Sequence, residues 1–329
     1  MRVLLTGATG FLGFRTLEQL VSHNNIEYIR ATGRTLRTTH YVNHPKIEYV
    51  LGDLIDKNFV DQIVKTCDVI IHAAALSSPW GSYDAFYEAN VLVQKNLINA
   101  AKAHRINRFV FVSTPSLYFE LEDKLNINET ENLEKNFVNA YAATKRAAEI
   151  ALIQSGLKYI IIRPRALIGR GDTIILPRLI RAYDEGKLRV IGNGKNIADL
   201  TPVYNVAQAL ILAIFAPEVA VNQVYNISNG EPVVLWDKIS DVLRRLDRTP
   251  PHTKIPFTLI KRIAQFMEWK SRITNKKEPT LTVYGVGTLA KSFSLDISKA
   301  KKLLGYKPQL STDEAIDEFI NWYRINENS

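Results

Sequence analysis

The chain has 329 residues, 46% hydrophobic and 23% charged, which is enough for a sizeable core in one large domain or two coupled lobes. Its 42 basic and 33 acidic residues give a net charge of +9, but the excess is scattered and no basic motif is interleaved with aromatics, which argues against a nucleic-acid partner. Ordinary glycine and proline content, without long repeats or low-complexity tracts, argues against disorder.

The first strand is "RVLLT" (2–6), fully buried by its apolar continuity. It meets a turn glycine at Gly7, too soon for a signal-peptide core. In "LLTGATGFLG", Gly7, Gly10 and Gly13 run from that strand into a helix over Phe11–Val21. The spacing lets the backbone turn tightly and approach a pyrophosphate that faces the helix N-terminus, and Gly13 lets the helix pack closely on the sheet. Thr9, Phe11 and Leu12 lie in the same turn and complete the expected cradle. A bare glycine-rich turn is weak evidence, but here a strand precedes it and a helix follows.

The second strand, "EYIRAT" (27–32), ends in Thr32-Gly33-Arg34, with no carboxylate until Glu48. An acid at this point would bind the ribose 2′-hydroxyl of NAD, whereas Arg34 offers donors to a 2′-phosphate. NADP(H) is therefore favoured over NAD(H). The third strand, "IEYVLG" (47–52), leads into "GDL", where Asp53, followed by Leu54, can accept from the adenine amino group. A helix over Phe59–Lys65 and the single cysteine, Cys67, come next; one cysteine forms no intrachain disulfide, and core packing is its simplest role. The fourth strand, "DVIIHAA" (68–74), ends in small residues, Ala73 and Ala74, against which a ring system can lie.

After a helix over Val91–His104, the fifth strand, "RFVFVST" (108–114), carries Ser113, Thr114 and Ser116 at its C-terminal end, where open parallel sheets bind ligands. A turn accounts for "STPS" equally well by composition. The next helix, Ala140–Gln154, holds "NAYAATKRAAE". Tyr141 and Lys145 stand four residues apart, on one helical face. A free tyrosine, with a pKa of roughly 10, is a poor base at neutral pH, and a nearby ammonium favours the phenolate. Tyr183 and Lys187 repeat the spacing, but Gly186 is expected to end that helix and spoil the shared face. "KYIIIRP" (158–164) and "QVYNIS" (223–228) complete the strands. Such alternation means βαβ units: an α/β, doubly wound parallel sheet of Rossmann type.

Past Pro164 the rhythm breaks. The expected division is a dinucleotide-binding domain over 1–164, rejoined by 201–228, and a smaller, discontinuous substrate lobe over 165–200 and 229–329. The longest apolar run, "ALILAIFA" (209–216), is far short of the roughly 20 residues of a spanning helix. From Lys254 to Lys277 there are seven Lys or Arg and one acid, Glu268. A surface helix with a solvated basic face explains this stretch, with contact between 257–277 and a membrane surface or amphiphile as the sharper alternative. A cytoplasmic protein is expected.

The chain resembles the extended short-chain dehydrogenases/reductases over nearly its whole length. "TGATGFLG" matches that family's T-G-x-x-G-x-x-G turn and "YAATK" its Y-x-x-x-K. "STPSLY" resembles its catalytic Ser/Thr segment, which selects Thr114, with Ser113 as runner-up. "IIRPRALIGRGD" resembles the segment that packs a proline, here Pro164, near the nicotinamide, and Asn90 in "EANVLVQKNLINAA" fits the helix after the fourth strand. "GDTIILPRLI", "SNGEPVVLWDKI" and "EPTLTVYGVGTLAKSFSLDISKAKKLLGYKP" are similar to the 3β-hydroxysteroid dehydrogenase branch, most of all to bacterial 2-alkyl-3-oxoalkanoate reductases. Ala140 departs from the residues that commonly precede the tyrosine. The resemblance implies NAD(P)(H) chemistry on a secondary alcohol or ketone of a bulky, amphiphilic substrate. It assigns Thr114, Tyr141 and Lys145 as catalytic, with Tyr141 and Lys145 also contacting the coenzyme. It calls for no metal and implies a homodimer through 91–104 and 140–154. The competing readings are a sugar-nucleotide epimerase or dehydratase with bound NAD, and a non-catalytic NADP-sensing or scaffold protein.

Overall fold

The computed structural model describes residues 1–133, 136–274 and 278–327. Seven strands form the central sheet: β1 (Arg2–Thr6), β2 (Tyr28–Thr32), β3 (Ile47–Tyr49), β4 (Val69–His72), β5 (Arg108–Val112), β6 (Tyr159–Pro164) and β7 (Gln223–Ile227). All pairs are parallel, in the order β7-β6-β5-β4-β1-β2-β3. The apolar continuity of these strands has its physical counterpart in burial on both faces: Val3, Leu4 and Leu5, then Ile70 and Ile71, then Phe109 and Val110, are sealed from solvent, each such side chain contributing about 1.5–3 kcal/mol.

Among the described residues the α-helices of eight or more residues, in chain order, are α1 (Phe11–Val21), α2 (Lys57–Val64), α3 (Val93–Ala103), α4 (Ala140–Ile153), α5 (Ile175–Asp184), α6 (Val203–Ile214), α7 (Leu235–Arg245), α8 (Phe257–Ile273), α9 (Val283–Ala290) and α10 (Thr312–Glu327); shorter ones span Tyr83–Tyr87 and Ser298–Leu304. Helix α1 packs on α6 against one face of the sheet, and α2, α3 and α4 pack against the other. A second, four-stranded sheet is made by Val233–Val234, Ile197–Ala198, Phe293–Leu295 and Lys124–Ile127. The last of these strands comes from the first half of the chain, a pairing that the βα alternation did not anticipate.

Two expected elements differ locally. The third strand stops at Tyr49 rather than Gly52. The helix expected from Val91 is extended upstream by a π-helical turn over Glu88–Leu92, the kind of widened turn that often re-aims a side chain at a site. Here that side chain is Asn90. Cys67 is buried, which pushes its thiol up to about 11, and it packs as an inert core residue. Among the described residues no helix is long and apolar enough to cross a membrane.

Candidate active site

The sheet order reverses between β1 and β4, and the crevice above that point is where open α/β sheets take ligands. Gly7 follows β1 with φ +69°, and a Cβ there would meet the backbone nitrogen of Ala74 at 2.7 Å. A Cβ on Gly13 would meet the Gly7 carbonyl oxygen at 2.0 Å, so neither position admits a side chain. Helix α1 begins at Phe11 after Gly10, with no side-chain cap and no acid in its first turn. Its leading N–H groups thus face the crevice without a competing carboxylate, a cradle that fits a pyrophosphate.

Gly7, Gly10, Phe11, Leu12, Gly13, Ala73, Thr114, Tyr141, Lys145 and Pro164 all line one cavity of about 650 Å³. Thr9, Arg34, Asp53, Leu54 and Ala74 do not. Thr9 packs under Gly33, where a Cβ would meet its Oγ1 at 2.3 Å. The Gly52 N–H donates to the Gly33 carbonyl at 3.1 Å, so the loops bearing Arg34 and Asp53 meet at one edge of the crevice, with both side chains exposed. Leu54 is buried beneath them.

Helix α4 starts where it does because the Asn139 side chain caps it, accepting from the Ala142 N–H at 2.9 Å. Asn90 fixes the facing loop: it accepts from Leu76 N at 2.9 Å and donates to Leu76 O at 3.2 Å and Thr144 Oγ1 at 3.3 Å. That clamp brings Ser77 beside Tyr141. Burial pushes the Tyr141 phenol up, and hydrogen bonding with the Ser77 and Thr114 hydroxyls pulls it part of the way back. Thr114 is held in turn: its Oγ1 donates to Ser116 Oγ at 3.0 Å, and Ser116 Oγ meets the Tyr284 hydroxyl at 2.8 Å. Hydroxyls therefore run continuously from Tyr141 to Tyr284.

Lys145 lies one turn along from Tyr141, only 2% exposed. Its Nζ donates to the Val112 carbonyl at 2.5 Å and sits 4.1 Å above the Phe111 ring. Burial lowers the ammonium to about 7, with Glu149 opposing the shift. The expected lowering of the phenol by this ammonium thus meets a stronger effect, since burial raises the one and lowers the other. Beneath it, His72 is held well below its usual value by burial and by Lys145; its Nδ1 shares a proton with Thr6 Oγ1 at 2.6 Å. Among the described residues no cluster of three metal-ligating side chains occurs.

The duplicate spacing falls apart structurally. Helix α5 ends at Asp184, Gly186 turns left-handed at φ +65°, and Lys187 pairs with Glu185 rather than facing Tyr183. Ser77, Ser116's partner Tyr284 and the clamp at Asn90 were not readable as site residues. Only the turn-like "LSSPWGS" after the fourth strand marks Ser77's neighbourhood, and no spacing links residue 284 to residue 116.

The chain matches the family model described as NAD dependent epimerase/dehydratase over residues 3–228. It is 32% identical to a 2-alkyl-3-oxoalkanoate reductase of Stenotrophomonas maltophilia, covering 96% of this chain and 97% of that protein. It is 30% identical to a decarboxylating sterol-4-alpha-carboxylate 3-dehydrogenase of Candida albicans, with 97% of both covered. In fold it resembles a dTDP-glucose 4,6-dehydratase of Streptomyces venezuelae solved with NAD, at a TM-score of 0.79 and 21% identity over 100% of this chain and 98% of that one.

Proposed function

Given that the chain belongs to the NAD dependent epimerase/dehydratase family, we propose that it is an NADP(H)-dependent oxidoreductase interconverting a secondary alcohol and a ketone on a bulky, apolar, 3-oxoacyl- or sterol-like substrate. The observation that carries this reading is the continuity of the cavity. From the glycine turn and the Tyr141 hydroxyls it runs on between Ile174, Leu179, Leu188, Ile239, Val242 and Leu281. A wall of aliphatic side chains suits an acyl chain or ring system, and of the charged groups that also line the cavity, Arg178, Lys187 and Lys238 are paired with Glu278, Glu185 and Asp313 rather than open to a sugar's hydroxyls.

When bound, the nicotinamide donates or accepts the hydride. Tyr141 gives its phenolic proton to the carbonyl oxygen during reduction and takes it back during oxidation. Thr114 turns its one hydroxyl proton from Ser116 Oγ to the same oxygen, and the Ser116 N–H, which donates to Thr114 Oγ1 at 3.2 Å, keeps the side chain oriented. Lys145 would hold the nicotinamide ribose hydroxyls and, when protonated, would favour the phenolate. Gly7, Thr9, Gly10, Phe11, Leu12 and Gly13 would hold the pyrophosphate, Asp53 and Leu54 the adenine, Ala73, Ala74 and Pro164 the ring systems, and Arg34 the 2′-phosphate.

The same reading assigns 1–164 with 201–228 to dinucleotide binding and 165–200 with 229–329 to substrate, supported by the return of β7 to the central sheet. It places the protein in the cytoplasm, as a homodimer through 91–104 and 140–154, where Leu92, Ile150 and Ile153 leave apolar surface uncovered. Helix α8 presents Leu259, Ile263, Phe266, Trp269 and Ile273 to solvent, flanked by Lys261, Arg262, Lys270 and Arg272, and we assign this face to an anionic membrane surface. Lys276 and Lys277, part of the same basic stretch, lie outside the described residues.

The test is NADPH absorbance against panels of 3-oxoacyl, sterol and nucleotide-sugar substrates. Turnover of a 3-oxoacyl or sterol ketone supports the reading. Turnover confined to nucleotide sugars, with tightly held NAD, refutes it.

A further inference from the structure

Arg165 follows Pro164 at the C-terminal end of β6 and is only 7% exposed. Strand register pairs Ile162 with Val112, and the Ser113 N–H still donates to the Ile162 carbonyl at 2.7 Å, so Arg165 leaves the sheet from the strand next to the one that leads to Thr114. Its guanidinium carbon lies 4.4 Å from the centroid of the Phe293 ring, which holds the plane in place. The side chain lines the cavity. Its Nε has no hydrogen-bond partner, and among the described residues the guanidinium makes no ion pair.

Other cations on the cavity wall are already engaged. Lys145 donates to the Val112 carbonyl, Arg178 pairs with Glu278, Lys187 with Glu185 and Lys238 with Asp313, while Arg189 donates to the carbonyls of Gly186 and Leu188. Two of the cavity's carboxylates are similarly committed: Glu278 pairs with Arg178, and Asp172 accepts the N–H groups of Ile174, Ile175 and Leu176. Asp199 accepts from Leu295 N through Oδ2 at 2.7 Å, while its buried Oδ1 has no partner among the described residues and its charge acts on Arg165 through space, without an ion-pair contact. A buried charge without a hydrogen-bonded partner is expensive, and a planar fork fixed on an aromatic face is preorganised for a carboxylate.

We propose that Arg165 is a specificity-determining residue that binds the carboxylate of the substrate, so that the enzyme takes free 3-oxo or 3-hydroxy acids in preference to their neutral analogues. This rests on the oxidoreductase reading above for the identity of the reacting carbonyl. Arg165 lines the same cavity as Tyr141 and Thr114, so a carboxylate on the substrate and the reacting carbonyl would face one space, and the attached chain continues along the aliphatic wall.

The experiment reads binding rather than turnover. Octanoate and 1-octanol are titrated calorimetrically into the full chain, with NADP⁺ titrated separately. Wild type is expected to bind octanoate at least tenfold more tightly than 1-octanol. Arg165→Met should abolish that preference while leaving 1-octanol and NADP⁺ affinities unchanged, and Arg165→Lys should keep part of it. Equal affinity of wild type for the two ligands overturns the proposal, and that comparison stands even if Arg165→Met does not fold. Equal weakening of both ligands, or loss of NADP⁺ binding in a folded Arg165→Met protein, overturns it as well. Failure of every ketone to oxidise NADPH would instead defeat the oxidoreductase reading and leave this comparison intact.

Discussion

Beneath the helix that carries Tyr141 and Lys145, Arg163 grips Glu149 with two parallel hydrogen bonds, Nε to Oε1 at 2.8 Å and Nη2 to Oε2 at 2.6 Å. Both groups are buried, and Arg163 also donates to the Tyr118 hydroxyl, which bonds Asn226 on β7. The pair therefore ties α4 to β6 and, through Tyr118, to β7, one turn below Lys145. Removing one partner strands a buried charge, so Glu149→Gln is expected to cost roughly 3–5 kcal/mol in urea unfolding. A Glu149→Leu, Arg163→Met double variant should recover part of that loss. Burial pushes the Glu149 carboxyl up, but Arg163 more than cancels this and holds it below its ordinary 4.5. Its stabilisation is thus present above pH 4.5 and lost as pH falls through the lower folded value. Wild type and Glu149→Gln should converge in stability under acid.

Lys145 carries a linkage of the same sign from the opposite cause: here burial destabilises the charged form instead of a partner stabilising it. Burial brings its ammonium from 10.5 to about 7, so between those values the unfolded chain binds a proton that the folded chain lacks, and folding stability rises with pH across the window. Without coenzyme, Lys145→Met should be more stable than wild type near pH 7 by roughly 1–3 kcal/mol, the hydrogen bond to Val112 offsetting part of the gain. The difference should shrink toward pH 10.5, while turnover is lost. Melting curves at pH 7 and pH 10 check the sign, and a lower melting temperature for the variant at pH 7 would reverse it.

The pieces readable from sequence are those set by local pattern. Continuous apolar runs located the seven strands of the central sheet, and the glycine spacing marked a tight turn at Gly7 and close packing at Gly13, whose neighbours, Ala74 for the first and Gly7 and Ala8 for the second, only the fold reveals. Gly186 was enough to separate Tyr183 and Lys187 from Tyr141 and Lys145. What was not readable depends on contacts between distant segments. Tyr284 reaches Ser116 across 168 residues, Asn90 acts only because a π turn re-aims it, and Lys124–Ile127 becomes a strand only beside Phe293–Leu295. The engagement of Lys145 by the Val112 carbonyl likewise follows from where α4 lands on β5, which no spacing encodes.

Arg34 should discriminate between the coenzymes. It is exposed at the crevice edge beside Thr32 and Gly33, with no acid at the end of β2. A charge-assisted contact to a 2′-phosphate is worth about 1.5–3 kcal/mol, so Arg34→Ala should weaken NADPH roughly 10- to 100-fold and NADH less than twofold. Equal losses in fluorescence titrations with the two coenzymes would remove the 2′-phosphate role.

Tyr141→Phe keeps the ring that packs near Phe86, at 6.3 Å between centroids, and deletes only the hydroxyl. If the phenol is the proton donor, kcat should fall about 10²- to 10⁴-fold with NADPH affinity unchanged. Thr114→Val should lower kcat less, and Ser113→Ala least, because the Thr114 hydroxyl adjoins Tyr141 whereas the buried Ser113 hydroxyl has no hydrogen-bond partner among the described residues. Unchanged turnover in Tyr141→Phe would refute the catalytic assignment.

Helix α8 makes the last prediction. Ile260 and Ala264 turn inward, and Ile260 reaches the cavity wall; Phe266 and Trp269, 5.7 Å apart, turn outward among basic residues. One helix thus separates the substrate cavity from an exposed aromatic face, an arrangement suited to taking amphiphiles from a lipid surface. Each basic residue near an anionic bilayer adds about 1 kcal/mol, and that part of the attraction is screened by salt. The protein should therefore co-sediment with vesicles containing phosphatidylserine, less with pure phosphatidylcholine, and less at high salt. Phe266→Ser combined with Trp269→Ser should release it while leaving turnover of a water-soluble ketone unchanged. If the double variant instead dissociates a dimer and vesicle binding never occurs, the face belongs to a second copy of the chain and the membrane assignment falls.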